Sequence, residues 1–188
     1  MPSISDIELI NGCATQDRYY QKMLYQRYAR KMLSVVLCYT RDDYEAENVL
    51  QEGFIKIFDH IKDFKPTGSL DGWIRRIFVN TATDYYRKKK RIKFSEVNLE
   101  EAENEVSSID LDKFNVKDII AAIQELPEGS RMVFTLYAIE GYTHKEIGEA
   151  LGISVGTSKS QFSRARVILQ EKLKRNELRE SKGFLQYK

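Results

Sequence analysis

Apolar side chains recur at steps of three and four along most of this chain. Ala46, Val49, Leu50, Gly53, Phe54, Ile57, Phe58 and Ile61 form one such series. Leu70, Trp73, Ile74, Ile77, Phe78 and Thr81 form a second, and Leu24, Tyr28, Met32, Val35 and Val36 a third. This spacing gathers each set on one face of an α-helix. The strict alternation of a half-buried strand is sustained nowhere, so the pattern predicts an all-α fold. Asp63 to Ser69 is a loop by composition, with Pro66 and Gly68 inside it. Ser69 is placed to cap the next helix, and Asp71 falls in the first turn, where a carboxylate favours the helix dipole.

Between residues 92 and 115 the periodicity fades and acidic side chains collect, then Val116, Ile119, Ile120 and Ile123 restart it. The chain therefore divides into two small helical domains, 1–91 and 116–175, joined by a flexible acidic linker at 92–115. A solvated tail at 176–188 ends it.

Composition narrows the function classes. With 42% hydrophobic residues in 188, there is enough apolar matter for packed cores, which excludes a wholly disordered chain. No apolar run approaches the roughly 18 residues of a membrane span. Asp6 and Glu8 stand where a secretory signal would be basic and then apolar. Cys13 and Cys38 form no CxxC and read as free thiols of a cytosolic protein. The two histidines, His60 and His144, lie in unrelated places; there is no metal-spaced Cys/His set and no Gly-rich phosphate loop. No catalytic residue, metal, cofactor or small-molecule substrate is expected, and the chain does not read as an enzyme.

The net charge of +2 argues weakly against a nucleic-acid partner when taken alone. Its distribution argues the other way. Residues 73–93 carry a net +7 and residues 94–118 a net −6. A polyanion responds to charge within a Debye length of roughly 8–10 Å, not to the total. The run Arg87-Lys88-Lys89-Lys90-Arg91 is then a candidate phosphate-binding patch, or a solvated helix end whose cations suit the C-terminal dipole.

Two constellations carry more specific chemistry. Thr143-His144-Lys145-Glu146 matches a capping box, with His144 read as an exposed helix residue. Gly152 is free to take positive φ, and Ser154 can cap a second helix. That helix is expected to turn Val155, Phe162, Ala165 and Leu169 inward and to carry Lys159, Ser160, Gln161, Ser163 and Arg164 on its other side. This is a helix-turn-helix arrangement, in which Arg and Lys meet guanine O6/N7 and Gln pairs with adenine; the plain alternative is a helical hairpin. Earlier in the chain, Trp73, Arg76, Asn80, Asp84 and Arg87 fall near one another on one helix. Cations, an aromatic ring and polar groups together suit a single strand of DNA, although Trp73 equally suits core packing.

The two halves together resemble a known family. Ala46 to Phe54, then Gly68 to Ile77 with Asn80 and Asp84, then Arg87 to Arg91, look like sigma region 2. Glu125-Leu126-Pro127, Gly141 to Ile147 and Gly156 to Arg166 look like sigma region 4. The resemblance is to the extracytoplasmic-function (ECF) bacterial sigma factors, with Leu9 to Cys13 and Leu24 to Met32 similar to members from Bacteroidetes-type bacteria.

That resemblance implies a cytoplasmic transcription initiation factor that binds core RNA polymerase and promoter DNA and helps to melt it. It implies polymerase contacts from Asn48, Gln51 and Glu52 to the β′ clamp helices, and from the second domain to the β flap. Members usually carry Asp where Asn48 stands. Lys62, Lys65 and Ser69 in the loop, with Trp73, Arg76, Asn80, Asp84, Arg87 and Lys88, would hold the melted −10 strand and a flipped base. Lys159, Ser160, Gln161, Ser163 and Arg164 would read the −35 duplex. The acidic linker would lie in the RNA-exit path, and an anti-sigma factor would be a further partner. The alternative is a stand-alone helix-turn-helix regulator that needs no polymerase.

Overall fold

A computed structural model of the protein describes residues 4–65, 68–92 and 115–183, with side chains as far as Lys90 in the first stretch of long helix and Leu173 in the last. The described residues contain helices and turns and no strand. They fall into two compact units, Met1–Ile92 and Lys93–Lys188. Of the predicted acidic linker at 92–115, residues 93–114 lie outside the described residues.

The first unit is built from four helices. Helix α1, Asp6–Ala14, opens with a capping box between Ser5 and Glu8. Its first turn is tied to the next helix by Arg27, which pairs with Asp6 at 3.0 Å. Helix α2, Arg18–Leu37, starts on Asp17, whose side chain accepts from the Tyr19 amide. Helix α3, Asp43–His60, starts on Asp42 in the same way and runs into a 3₁₀ turn at Ile61–Asp63. Helix α4 spans Leu70–Ile92.

The predicted stripes form the core. Leu24, Tyr28, Met32 and Val36 of α2 meet Ala46, Val49, Phe54 and Ile57 of α3, and Leu70, Ile74 and Phe78 of α4. Leu9 and Cys13 of α1 close one side. Gly53 leaves room for the Phe78 ring of α4: a Cβ there would stand 2.2 Å from it. A glycine in mid-helix costs about 1 kcal/mol in propensity against alanine. Here that cost is offset by seating Phe78, fully buried, edge-on to Phe54 with ring centroids 5.3 Å apart. Cys13 and Cys38 are buried and unbridged, and burial pushes the Cys13 thiol up to about 11, which keeps it protonated.

The second unit holds α5, Val116–Gln124, and α6, Glu128–Phe134, which continues as a π-helical turn at Thr135–Ile139. Helix α7, His144–Leu151, and helix α8, Val155–Gly183, follow. Met132, Val133, Leu136, Ile147, Leu151, Ala165 and Leu169 pack together. Arg131 is buried and donates through Nη1 to the carbonyls of Gln124 and Leu126, satisfying oxygens left over at the end of α5.

Two expectations shift. Helix α8 runs to Gly183, into the stretch 176–188 expected to be a tail, because no Pro or Gly interrupts the sequence between Gly156 and Gly183. Val155 does not face inward: its place in the first turn leaves it 44% exposed. The inward face runs instead through Ser158, Ala165, Leu169 and Leu173.

Candidate nucleic-acid interface

In the first unit, the predicted ridge lies along the solvent side of α4. Arg76, Asn80, Arg87 and Lys88 are exposed, and Trp73 and Asp84 are half-buried. Steps of three and four keep them in line, while Ile74, Phe78 and Ala82 of the same helix are buried. Trp73 is not a core residue. Its ring meets Phe64 edge to face at 5.6 Å, fastening the start of α4 to the segment after the 3₁₀ turn. Lys62 within the turn, and Lys65 and Ser69 beyond it, are exposed. Ser69 caps α4 as predicted: Oγ accepts from the Gly72 amide at 3.0 Å. Asp71 in the first turn pairs with Lys31 of α2 at 2.6 Å.

The basic run is less exposed as a block than its sequence implies, because α3 supplies counter-charges. Lys89 pairs with Glu45 at 2.5 Å, and both side chains are largely covered. The same Glu45 helps to raise the Tyr85 hydroxyl above its ordinary range, behind the larger effect of burial. Lys88 lies 3.7 Å from Glu52, and Arg87 lies 3.8 Å from Asp84. Lys56 links the two acids, 3.2 Å from Glu52 and 3.7 Å from Asp84. Glu52 is thus joined electrostatically to the α4 ridge, whereas Asn48 and Gln51 on the same helix are exposed. The side chain of Arg91 lies outside the described residues.

In the second unit, both caps form as the sequence predicts. The Thr143 hydroxyl oxygen accepts from the Glu146 amide, and the Glu146 carboxylate accepts from the Thr143 amide at 2.8 Å. The hydrogen bonds that the Thr143 amide and then its hydroxyl donate to the Glu146 carboxylate hold that carboxyl below its usual range. Gly152 ends α7 with φ of 64°, and Ser154 Oγ accepts from the Thr157 amide at 2.9 Å. Gly148 lets the helices close up, since a Cβ there would sit 2.9 Å from the Ile153 carbonyl oxygen.

Residues 24–92 match the family model for Sigma-70 region 2, and residues 117–169 match that for Sigma-70, region 4. The two matches fall one on each unit and together span well over half the chain.

The chain belongs to the sigma-70 family. Its similarities place it in the ECF group. It is 29% identical over 182 residues to the ECF RNA polymerase sigma-E factor of Escherichia coli, covering 90% of this chain and 95% of that protein. It is 29% identical over 180 residues to the RNA polymerase sigma-H factor of Pseudomonas aeruginosa, covering 89% and 93%. Against the ECF sigma factor SigE of Mycolicibacterium smegmatis the identity is 29% over 157 residues, 80% of this chain and 60% of that protein. Sigma factors are transcription initiation factors that work through core RNA polymerase. The stand-alone regulator is not favoured, because the region 2 match covers the unit which that reading leaves unexplained.

Region 4 of this sigma factor sorts its polar residues in a way the sequence does not reveal. Lys159 and Arg164 are exposed on α8, and Ser160 and Ser163 are half-buried. Ser160 Oγ donates to the Thr157 carbonyl at 3.1 Å. Gln161 is turned partly inward, where Oε1 accepts from the Ser130 hydroxyl of α6 at 2.5 Å. Ser158 is fully buried, and its hydroxyl shares a hydrogen bond of 2.9 Å with His144 Nδ1. His144 is therefore not the exposed residue that the capping box alone predicts. Its ring stacks on Tyr137 at 4.4 Å and meets the edge of Phe162 at 5.9 Å. Burial, helped by the charge of Lys159, holds the imidazole below its ordinary pKa. Among the described residues no cluster of His, Cys, Asp and Glu could hold a metal, and no helix is long and apolar enough to cross a membrane. Ser130, Arg131 and Ser158 are the determinants that sequence reading passes over. A lone serine or arginine between apolar neighbours carries no periodic signal.

Proposed function

We propose that this sigma factor divides promoter recognition between its two units. The first would dock on the β′ clamp helices of core polymerase through Asn48, Gln51 and Glu52. It would hold the melted −10 strand along Trp73, Arg76, Asn80, Asp84, Arg87 and Lys88, with Lys62, Lys65 and Ser69 around a flipped base. The second would contact the β flap and read the −35 duplex with α8, through Lys159, Ser160, Gln161, Ser163 and Arg164. The observation that carries this reading is the ridge on α4, where cations and the Asn80 amide line up beside a half-buried tryptophan. A helix-turn-helix with both caps formed supports the second half.

On this reading the protein acts in the cytoplasm, catalyses no reaction of its own and needs no cofactor. The acidic linker would run through the RNA-exit path, and an anti-sigma factor would hold the protein inactive. Gel filtration of the purified chain with core polymerase, followed by binding to forked and closed promoter DNA, tests the scheme. Co-elution and tighter binding to a pre-melted fork are expected. Tight sequence-specific binding to closed duplex without polymerase would overturn it.

A further inference from the structure

The hydroxyl of Ser130 is fully buried at the α6–α8 contact and donates to Gln161 Oε1 at 2.5 Å. A glutamine that reads adenine in the major groove uses both ends of its amide: Nε2 donates to adenine N7 and Oε1 accepts from the N6 amino group. Here the oxygen is held against α6. With the oxygen engaged there, the amide nitrogen would be the end turned to the groove. We propose that Ser130 is a positioning residue for promoter selectivity, which holds the Gln161 oxygen toward α6 so that the side chain meets the groove donor-first.

The consequence has a definite sign. An amide presented donor-first is satisfied by acceptors in the groove, above all guanine, which offers O6 and N7 together. It gains nothing from the adenine N6 amino group and opposes the cytosine N4 amino group, donor against donor. The neighbouring geometry keeps the arrangement in place. Ser158, three residues earlier on α8, is bonded to His144 of α7 at 2.9 Å, so the inner side of α8 is pinned to two different helices. Rotation of α8 to release Gln161 would break the Ser158 bond as well.

The inference rests on α8 reading the −35 element, and its test separates the two. Holoenzyme reconstituted with the full chain is assayed for binding to promoter DNA with the −35 positions randomised. Ser130→Ala frees the Gln161 oxygen, and the preference at one base pair should move toward adenine by about fivefold, the scale of one good base contact. Gln161→Glu keeps an oxygen for Ser130 but removes the donor, and the same base pair should move toward cytosine. Gln161→Ala should flatten selectivity there. Thermal melting of each variant checks that the unit stays folded, and Ser130→Cys, which keeps a side chain of similar size but donates only weakly, carries the test if Ser130→Ala does not fold. Uniform weakening at all positions, or no shift at the position that Gln161→Ala affects, would overturn the role of Ser130. If Arg164→Ala still alters one −35 position in that case, the promoter-reading scheme stands without it; if no variant alters any position, both fall.

Discussion

The imidazole of His144 and the buried hydroxyl of Ser158 share a hydrogen bond of 2.9 Å that joins the two helices of the helix-turn-helix. Its pH dependence follows from the surroundings of the ring. Burial and then Lys159 depress the folded pKa, so the unfolded chain takes up a proton more readily than the folded one. This contribution to stability is complete above the unfolded value of about 6.5 and is lost as pH falls through it, until the folded imidazole is itself protonated. Thermal melts between about pH 7.5 and 5.5 should show a steeper loss for the wild type than for His144→Gln, which keeps a hydrogen-bonding side chain without the titration. Equal slopes would show that His144 carries no such linkage.

Lys88 and Lys89 are adjacent, yet they should behave differently. Lys88 is 70% exposed and Lys89 only 24%, the latter held by Glu45. Lys88→Gln should lower the log–log salt slope of holoenzyme binding to melted promoter by about 0.7, without moving the melting temperature. Lys89→Gln leaves the covered Glu45 carboxylate without this cation and should cost about 1–3 kcal/mol of stability in urea titration. The same response from both variants would contradict the division.

Gly53→Ala should destabilise the protein although alanine is the better helix former. The new methyl would meet the Phe78 ring at 2.2 Å, and Phe78 is fully buried. Overpacking of this kind costs about 1–3 kcal/mol, more than the propensity gained. A urea midpoint equal to or above that of the wild type would show that the ring can move aside.

Arg164 is exposed on α8, one residue after Ser163 and on the side away from Ala165. If it pairs bidentately with a guanine, Arg164→Ala should cost about 1–3 kcal/mol at one −35 base pair. Selection from randomised −35 duplexes with holoenzyme reads this directly. An even loss on every sequence would mark a phosphate contact instead.

The features legible in the sequence are those whose partners lie close along the chain. The Thr143–Glu146 box and the Ser69 and Ser154 caps each join residues three apart. The apolar stripes of α2, α3 and α4 follow from the helical period alone. Other features depend on distant partners: Ser158 bonds a residue 14 positions away, Gln161 one 31 away, and Lys89 one 44 away. No spacing rule links such pairs, which is why His144 reads as exposed in sequence and is enclosed in the fold. The segmental charge count has the same limit, since it sets the net +7 of residues 73–93 apart from Glu45 and Glu52 of α3, which the fold brings beside it.

By itself, then, the sequence determined the helices, their caps and the line of polar residues on α4. These are local consequences of backbone geometry and side-chain period. The tertiary structure alone decided which polar groups of α8 remain exposed and which cations of α4 are paired with acids of α3. A helix presents a full circle of side chains, and only the elements packed against it determine which of them keep their hydrogen-bonding capacity for a partner.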